Sequence, residues 1–121
     1  MFDKRCSRRE LGSISSVAPA FAAELIEAFI QQGHPGGSAV CTAQILRCTY
    51  DASADAGYIY LVRPAYPVSA VHNEAAPVRE TIPFTAPHWF NVDIDHEGNP
   101  FGVELLSRPD VIAQLRAARA L

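Results

Sequence analysis

No apolar run in this 121-residue chain approaches the roughly 20 residues that a membrane-spanning helix requires; the longest candidate, Val17 to Ile30, is interrupted by Pro19, Glu24 and Glu27. Nor does the amino end read as a secretory signal: Lys4, Arg5, Arg8 and Arg9 are followed by the polar stretch Gly12 to Ser16, and the apolar stretch beyond it carries acids. Cysteine is scarce. Cys6, Cys41 and Cys48 cannot all pair within one chain, and none stands in a Cys-x-x-Cys or Cys/His spacing, so neither a disulfide framework nor a zinc site is indicated. A reducing, cytoplasmic location is the expectation. Cys41 and Cys48 lie an odd number of positions apart on what reads as one extended stretch, which points them to opposite faces. No His-x-x-x-His is present, and no serine or cysteine sits in a nucleophile-elbow context. No cofactor motif and no catalytic constellation emerge from the spacing of the residues.

Charge of one sign is also lacking. Ten basic residues stand against thirteen acidic ones, a formal net charge of −3 that argues against non-specific nucleic-acid binding. The distribution is uneven, with a basic amino end, a basic carboxyl end at Arg108, Arg116 and Arg119, and an acidic middle from Asp51 to Glu104 opposed by Arg63 and Arg79. With 49% hydrophobic residues, the chain carries enough apolar surface for one core at the usual size of a single domain.

Periodicity predicts an α+β domain over residues 16–121, preceded by a flexible basic arm over 1–15. Ser16 is the expected N-cap, and Phe21, Leu25 and Phe29 with Ala22, Ile26 and Ile30 form the apolar stripe of a helix ending at Gly33 and Pro35. His34 to Ser38 reads as a loop. Val40 to Tyr50 and Gly57 to Val62 read as strands joined by the turn Asp51 to Asp55, with Ile59 and Leu61 on one face and Tyr58 and Tyr60 on the other. Prolines 64, 67, 77, 83 and 87 predict a long excursion with one short extended piece at Val78 to Ile82. Phe90, Val92 and Ile94 then alternate with polar residues, His96 to Asn99 turns the chain, and Phe101 to Leu106 returns. Ser107 with Asp110 makes a capping-box-like start to a short final helix, with Pro109 in its first turn. The expected architecture is a small antiparallel meander of two hairpins, four strands in all, packed against the amino-terminal helix with a short carboxyl-terminal helix at one end.

Four short motifs then follow in order: Tyr50-Asp51 with Asp55 and Tyr58-Ile59-Tyr60-Leu61, Val78-Arg79-Glu80-Thr81, Asn91-Val92-Asp93-Ile94-Asp95 with Gly98, and Gly102-Val103-Glu104-Leu105. In this order and spacing, residues about 47–107 resemble domain-of-unknown-function family 2283. The chain departs from that pattern in Gly57, where the family has a large apolar residue, in its longer proline-rich excursion, and in its amino-terminal helical extension, which is expected to fill the space at Gly57. The resemblance implies a meander sheet flanked by a helix and implies no reaction. Through relatives encoded beside small toxin-like proteins, it also implies an antitoxin-like role with a small basic protein as partner.

Two sets of residues are candidate sites. For binding, the set is Asp51 and Asp55 flanking their turn, Tyr58 and Tyr60 as an aromatic platform, His72 in the excursion, and Arg79. For a metal, Asp93, Asp95, Glu97 and Glu104 place oxygens at positions one, three, five and twelve of a calcium loop, with Gly98 at six. Against the metal reading, such a loop sits between helices, whereas these residues lie on a strand hairpin that directs Asp93 and Asp95 to one solvent face and makes Glu97-Gly98 its turn. Three functions follow. The first is a non-enzymatic protein-interaction module, expected as a homodimer, because both sheet faces carry apolar side chains and no polar set converges. The others are an antitoxin-like partner and a metal-binding or hydrolytic enzyme.

Overall fold

The structure, a computed structural model, describes residues 10–63 and 78–121. Its elements in chain order are α1 (Ile14–Val17), α2 (Pro19–Gln31), α3 (Gly37–Thr42), β1 (Ile45–Asp51), β2 (Ala56–Leu61), β3 (Val78–Phe84), β4 (Phe90–Asp95), β5 (Pro100–Leu106) and α4 (Pro109–Ala117). The strands form one sheet in the order β1-β2-β5-β4-β3, with antiparallel pairing throughout. The α+β class and the two flanking helices are as expected. Among the described residues the sheet has five strands rather than four, because the piece expected as short and extended is a complete edge strand, β3, paired along its length with β4.

Pleating separates the sheet into two faces of different chemistry. On one face the aligned rows are Cys48-Ile59-Val103-Val92-Ile82 and Tyr50-Gly57-Leu105-Phe90-Phe84. These pack with Phe21, Leu25 and Phe29 of α2, Val40 and Cys41 of α3, and Val111, Ile112 and Leu115 of α4 into one buried cluster. Phe21 meets Phe90 edge-on at 5.3 Å, and Phe29 stacks on Phe84 at 5.0 Å. Each such fully buried side chain contributes about 1.5–3 kcal/mol of transfer free energy. The helices thus cover this face, and the core lies between the two layers.

Several local expectations are corrected. Residues 40–43 are not strand: Gly37 to Thr42 forms α3, where Val40 and Cys41, neighbours in sequence, are both fully buried. A Cβ at Gly37 would lie 3.0 Å from Phe29 Cβ and 3.2 Å from Ile26 Cα, so the glycine is what lets α3 cross α2 closely. Cys41 therefore sits on a helix and Cys48 on β1, rather than on opposite faces of one strand. Burial pushes their thiols up to about 11 and about 12 respectively.

Ser16 is not the cap of the long helix. Ser13 caps α1, its hydroxyl accepting from the Ser16 amide while the Ser16 hydroxyl accepts from the Ser13 amide, and α2 begins separately at Pro19. Residues 10–15, expected within the arm, include the fully buried Ile14 and the Gly12 carbonyl that accepts from the Ile45 amide, so the folded domain begins earlier than Ser16. The remainder of the expected arm, with Lys4 to Arg9, lies outside the described residues. At α4, Ser107 makes no capping box; it adopts a left-handed φ of 52°, and Asp110 bonds Arg108 instead. The space at Gly57 is filled by Ile112 of α4, whose Cδ1 would be 2.8 Å from an added Cβ, and not by the amino-terminal helix.

Candidate functional site

The other sheet face carries the rows Arg47-Tyr60-Gly102-Asp93-Thr81 and Thr49-Tyr58-Glu104-Asn91-Pro83. None of these residues belongs to the buried cluster with the helices, so this face is open among the described residues. Its side chains are knitted together. The Tyr58 hydroxyl donates to Asp93 Oδ2 at 2.6 Å, and the Thr81 hydroxyl donates to Asp93 Oδ1 at 2.6 Å. Asn91 Nδ2 donates to Glu104 Oε1 at 2.9 Å.

Tyr58 and Tyr60, two apart on β2, bring their rings to 4.5 Å, and the Arg47 guanidinium lies 4.5 Å over the Tyr60 ring. Burial first, and then the Asp93 carboxylate, raise the Tyr58 phenol far above its ordinary value, so it is a neutral donor across the physiological range. Gly102 makes the arrangement possible: a Cβ there would collide with the Tyr58 ring and lie 2.6 Å from the Ile59 carbonyl oxygen. An isolated glycine inside a strand is the signal of such a close approach, and Gly102 was available to be read that way from its place between Phe101 and Val103.

Both edges of the sheet are blunted. β3 has a register irregularity between Val78 and Glu80, an exposed Arg79-Glu80 pair 3.7 Å apart, and Pro83, whose carbonyl accepts from Gln32 Nε2 at 3.2 Å. β1 has an irregularity between Ile45 and Arg47, and its first amide donates to Gly12. Bulges, charges and proline are the devices that discourage strand addition.

The candidate binding residues divide. Tyr58 and Tyr60 lie on the open face on β2, beside the edge strand β1, and Arg79 lies on the opposite edge strand, β3. Asp51 and Asp55 serve the β1–β2 turn separately: Asp51 Oδ1 accepts from the Ser53 amide and hydroxyl, which lowers its pKa, and Asp55 Oδ1 accepts from the Tyr50 hydroxyl at 2.9 Å. His72 lies outside the described residues.

The four candidate metal ligands are not brought together. Asp95, expected on the solvent face with Asp93, is instead withdrawn from solvent at 1% exposed. Asp95 Oδ2 pairs with Arg63 at 2.9 Å, and its Oδ1 accepts from the Glu97 and Asn99 amides. Arg63 is itself 4% exposed and lies 4.3 Å over the Phe101 ring, so a guanidinium stands against the loop carboxylate in the role a cation would take. Glu97 is exposed at the turn and Glu104 is bonded to Asn91. No cluster of three or more acidic, histidine or cysteine side chains suited to a metal occurs among the described residues.

A second polar cluster lay beyond the reach of sequence spacing, because its members come from three separate elements. Arg108 uses all five of its N–H donors: Nε and Nη2 on Asp110, Nη1 and Nη2 on Glu24, and Nη1 also on the His88 carbonyl, at 2.6–3.1 Å. Glu24 Oε2 also accepts from His88 Nδ1 at 2.8 Å. Desolvation acts to raise the Glu24 carboxyl, but the bonds from Arg108 and His88 outweigh it and hold it below the usual range; Arg108 lowers Asp110 in the same way. Beside this cluster, Asp55, Trp89 and Ser107 all adopt left-handed φ, and the Ser107 amide donates to the Asp55 carbonyl and the Leu106 amide to the Trp89 carbonyl. With every guanidinium donor committed within the chain, the cluster ties α2, the β3–β4 turn and α4 to one another.

No protein-family model, no curated protein and no solved structure matches the chain.

Proposed function

We propose that the chain is a non-enzymatic protein-interaction module that binds through the open face of its sheet, its partner being a second copy of itself. The observation that supports this is the pair Tyr58 and Tyr60 on β2, on a sheet face that no described helix covers, with Arg47 stacked over one of them. Tyrosine and arginine are the residues enriched at the centres of protein interfaces, where a rigid ring contributes contact area at small entropic cost. The blunted edges support the face, rather than an edge, as the surface of contact.

The carboxylates of the described residues also fit a binding rather than a catalytic role. Asp93, Asp95, Glu104, Glu24 and Asp110 are each held by hydrogen bonds within the chain instead of converging on one point. The resemblance of residues about 47–107 to domain-of-unknown-function family 2283 belongs to this proposal and brings no reaction with it.

Light scattering across a concentration series tests the reading. The expected mass is twice 13.1 kDa at micromolar concentration, with Tyr60→Ala weakening the association. A particle of 13.1 kDa at every concentration up to the millimolar range would overturn it.

A further inference from the structure

Gly102 leaves one bare place on the open face, and two tyrosines are within reach of it. Tyr60 stands directly opposite Gly102 in the β2–β5 pairing, whereas Tyr58 stands opposite Glu104, two residues along. Directly opposed and diagonal positions on neighbouring strands both lie within reach of an aromatic ring, and a ring laid over a glycine covers backbone that has no side chain of its own. The nearer tyrosine is not the one that covers it. A Cβ at Gly102 would collide with the Tyr58 ring, so Tyr58 leans across from the diagonal position and occupies the place that Tyr60 faces. What holds it there lies one strand further on: Asp93 is opposite Gly102 on β4, and its Oδ2 accepts from the Tyr58 hydroxyl at 2.6 Å. Tyr60 is thereby kept off the glycine and remains partly exposed, its ring 4.5 Å from that of Tyr58 and 6.4 Å from that of Phe101.

Resting on the open-face reading above, we infer that Asp93 is a positioning residue for self-association: it captures the Tyr58 hydroxyl, keeps the Tyr58 ring over Gly102, and so holds Tyr60 clear of the glycine in the arrangement that meets the second copy. Two packings of the same pair of rings compete for one place, and the carboxylate selects between them, acting through Tyr58 rather than on the partner. With Tyr58 held, Tyr60 has given up side-chain freedom before contact, which lowers the entropic cost of ordering it at an interface. Without that hold, Tyr60 is free to fold down onto the glycine opposite, which withdraws its ring from the open face.

Asp93→Ala tests the inference in two readouts. By light scattering, the dissociation constant of the pair is expected to rise about three- to tenfold. Asp93→Asn keeps an acceptor oxygen for the phenol and should stay within about twofold of the wild-type value. Tyr58→Phe should match Asp93→Ala, and the double variant should be no weaker than either single one, because the carboxylate acts through that hydroxyl. By NMR of the dilute chain, nuclear Overhauser contacts of the Gly102 α-protons run to the Tyr58 ring in the wild type and pass to the Tyr60 ring in Asp93→Ala. A residue that only added stability would lower the melting temperature and leave both the contacts and the dissociation constant where they were. If circular dichroism shows Asp93→Ala to be unfolded, Tyr58→Phe carries both readouts. A dissociation constant unmoved by these variants, or a Gly102 still covered by the ring at position 58, would overturn the role of Asp93 while leaving self-association through the face standing. A wild-type chain that is monomeric throughout would instead remove the open-face reading itself, and this inference with it.

Discussion

Tyr58 and Asp93 stand on strands β2 and β4, with β5 between them, and yet their side-chain oxygens are 2.6 Å apart. The ring spans the intervening strand at Gly102, the position where the sheet offers no side chain to displace it. Three strands are thereby joined by one phenol on the open face, in addition to their backbone ladders.

Removing the hydroxyl isolates that bond. Tyr58→Phe keeps the ring over Gly102 and leaves Asp93 its bond from Thr81, so the expected loss is about 1 kcal/mol. Tyr58→Phe combined with Thr81→Val strips both donors from the Asp93 carboxylate, and the double variant is expected to lose more than the sum of the two. Urea denaturation of the four proteins of this cycle measures the coupling.

Gly102→Ala is expected to destabilise by about 1–3 kcal/mol, because the methyl group meets the Tyr58 ring and the Ile59 carbonyl, and a backbone oxygen cannot swing aside. Gly57→Ala meets a side-chain end instead, the Ile112 Cδ1. Pairing it with Ile112→Val should recover part of its cost, whereas no side-chain change should fully rescue Gly102→Ala. Thermal melts of the three variants distinguish the two kinds of glycine.

Arg63→Ala leaves the Asp95 carboxylate buried without its guanidinium and is expected to cost about 3–5 kcal/mol. Arg63→Met with Asp95→Asn removes both charges while keeping an acceptor for the Glu97 and Asn99 amides, and should cost less than the single change. Chemical denaturation checks the order; equal losses would show that the pair is not what holds this turn.

Acid is expected to loosen the Arg108 cluster. Glu24 and Asp110 both have folded pKa values below their ordinary ones, so the unfolded chain binds more protons and stability rises with pH through that range. Their contribution is complete above the unfolded values near pH 4 and is lost as the pH falls through the lower folded ones. In Arg108→Gln the melting temperature should be lower at pH 7 and fall less steeply between about pH 5 and pH 2.5. A parallel slope in the two proteins would remove the cluster from the account of acid stability.

The elements most legible in the sequence are those whose periodicity is set by one buried face. Phe90 and Val92 alternate cleanly because β4 faces the helices on one side only, and Phe21, Leu25 and Phe29 repeat as α2 does because they meet Phe90 and Phe84. What is not legible is anything decided by contacts distant in sequence. Val40 and Cys41 have strand-like side chains, yet the chain there is helical because Gly37 permits a close crossing over Phe29.

The same holds for the site. Tyr58 and Tyr60 are visible as one face of a strand, but that Tyr58 is bound to Asp93 depends on β5 being inserted between β2 and β4. Asp93 and Asp95 alternate as a solvent-facing pair would, and only the arrival of Arg63 reveals that Asp95 is buried. Glu24, His88 and Arg108 carry no local spacing at all, since their meeting point is made by the tertiary fold.

The irregular, proline-bearing margins of the sheet bear on how far association can proceed. The face-to-face pairing proposed above would consume the same patch on both molecules, and the sheet edges it would leave outward among the described residues are the bulged β1 and β3 flanks, where Pro83 and the Arg79-Glu80 pair oppose further strand addition. Assembly of this kind stops at a closed particle of two, so crowding the protein in solution should yield a plateau in mass rather than a growing filament.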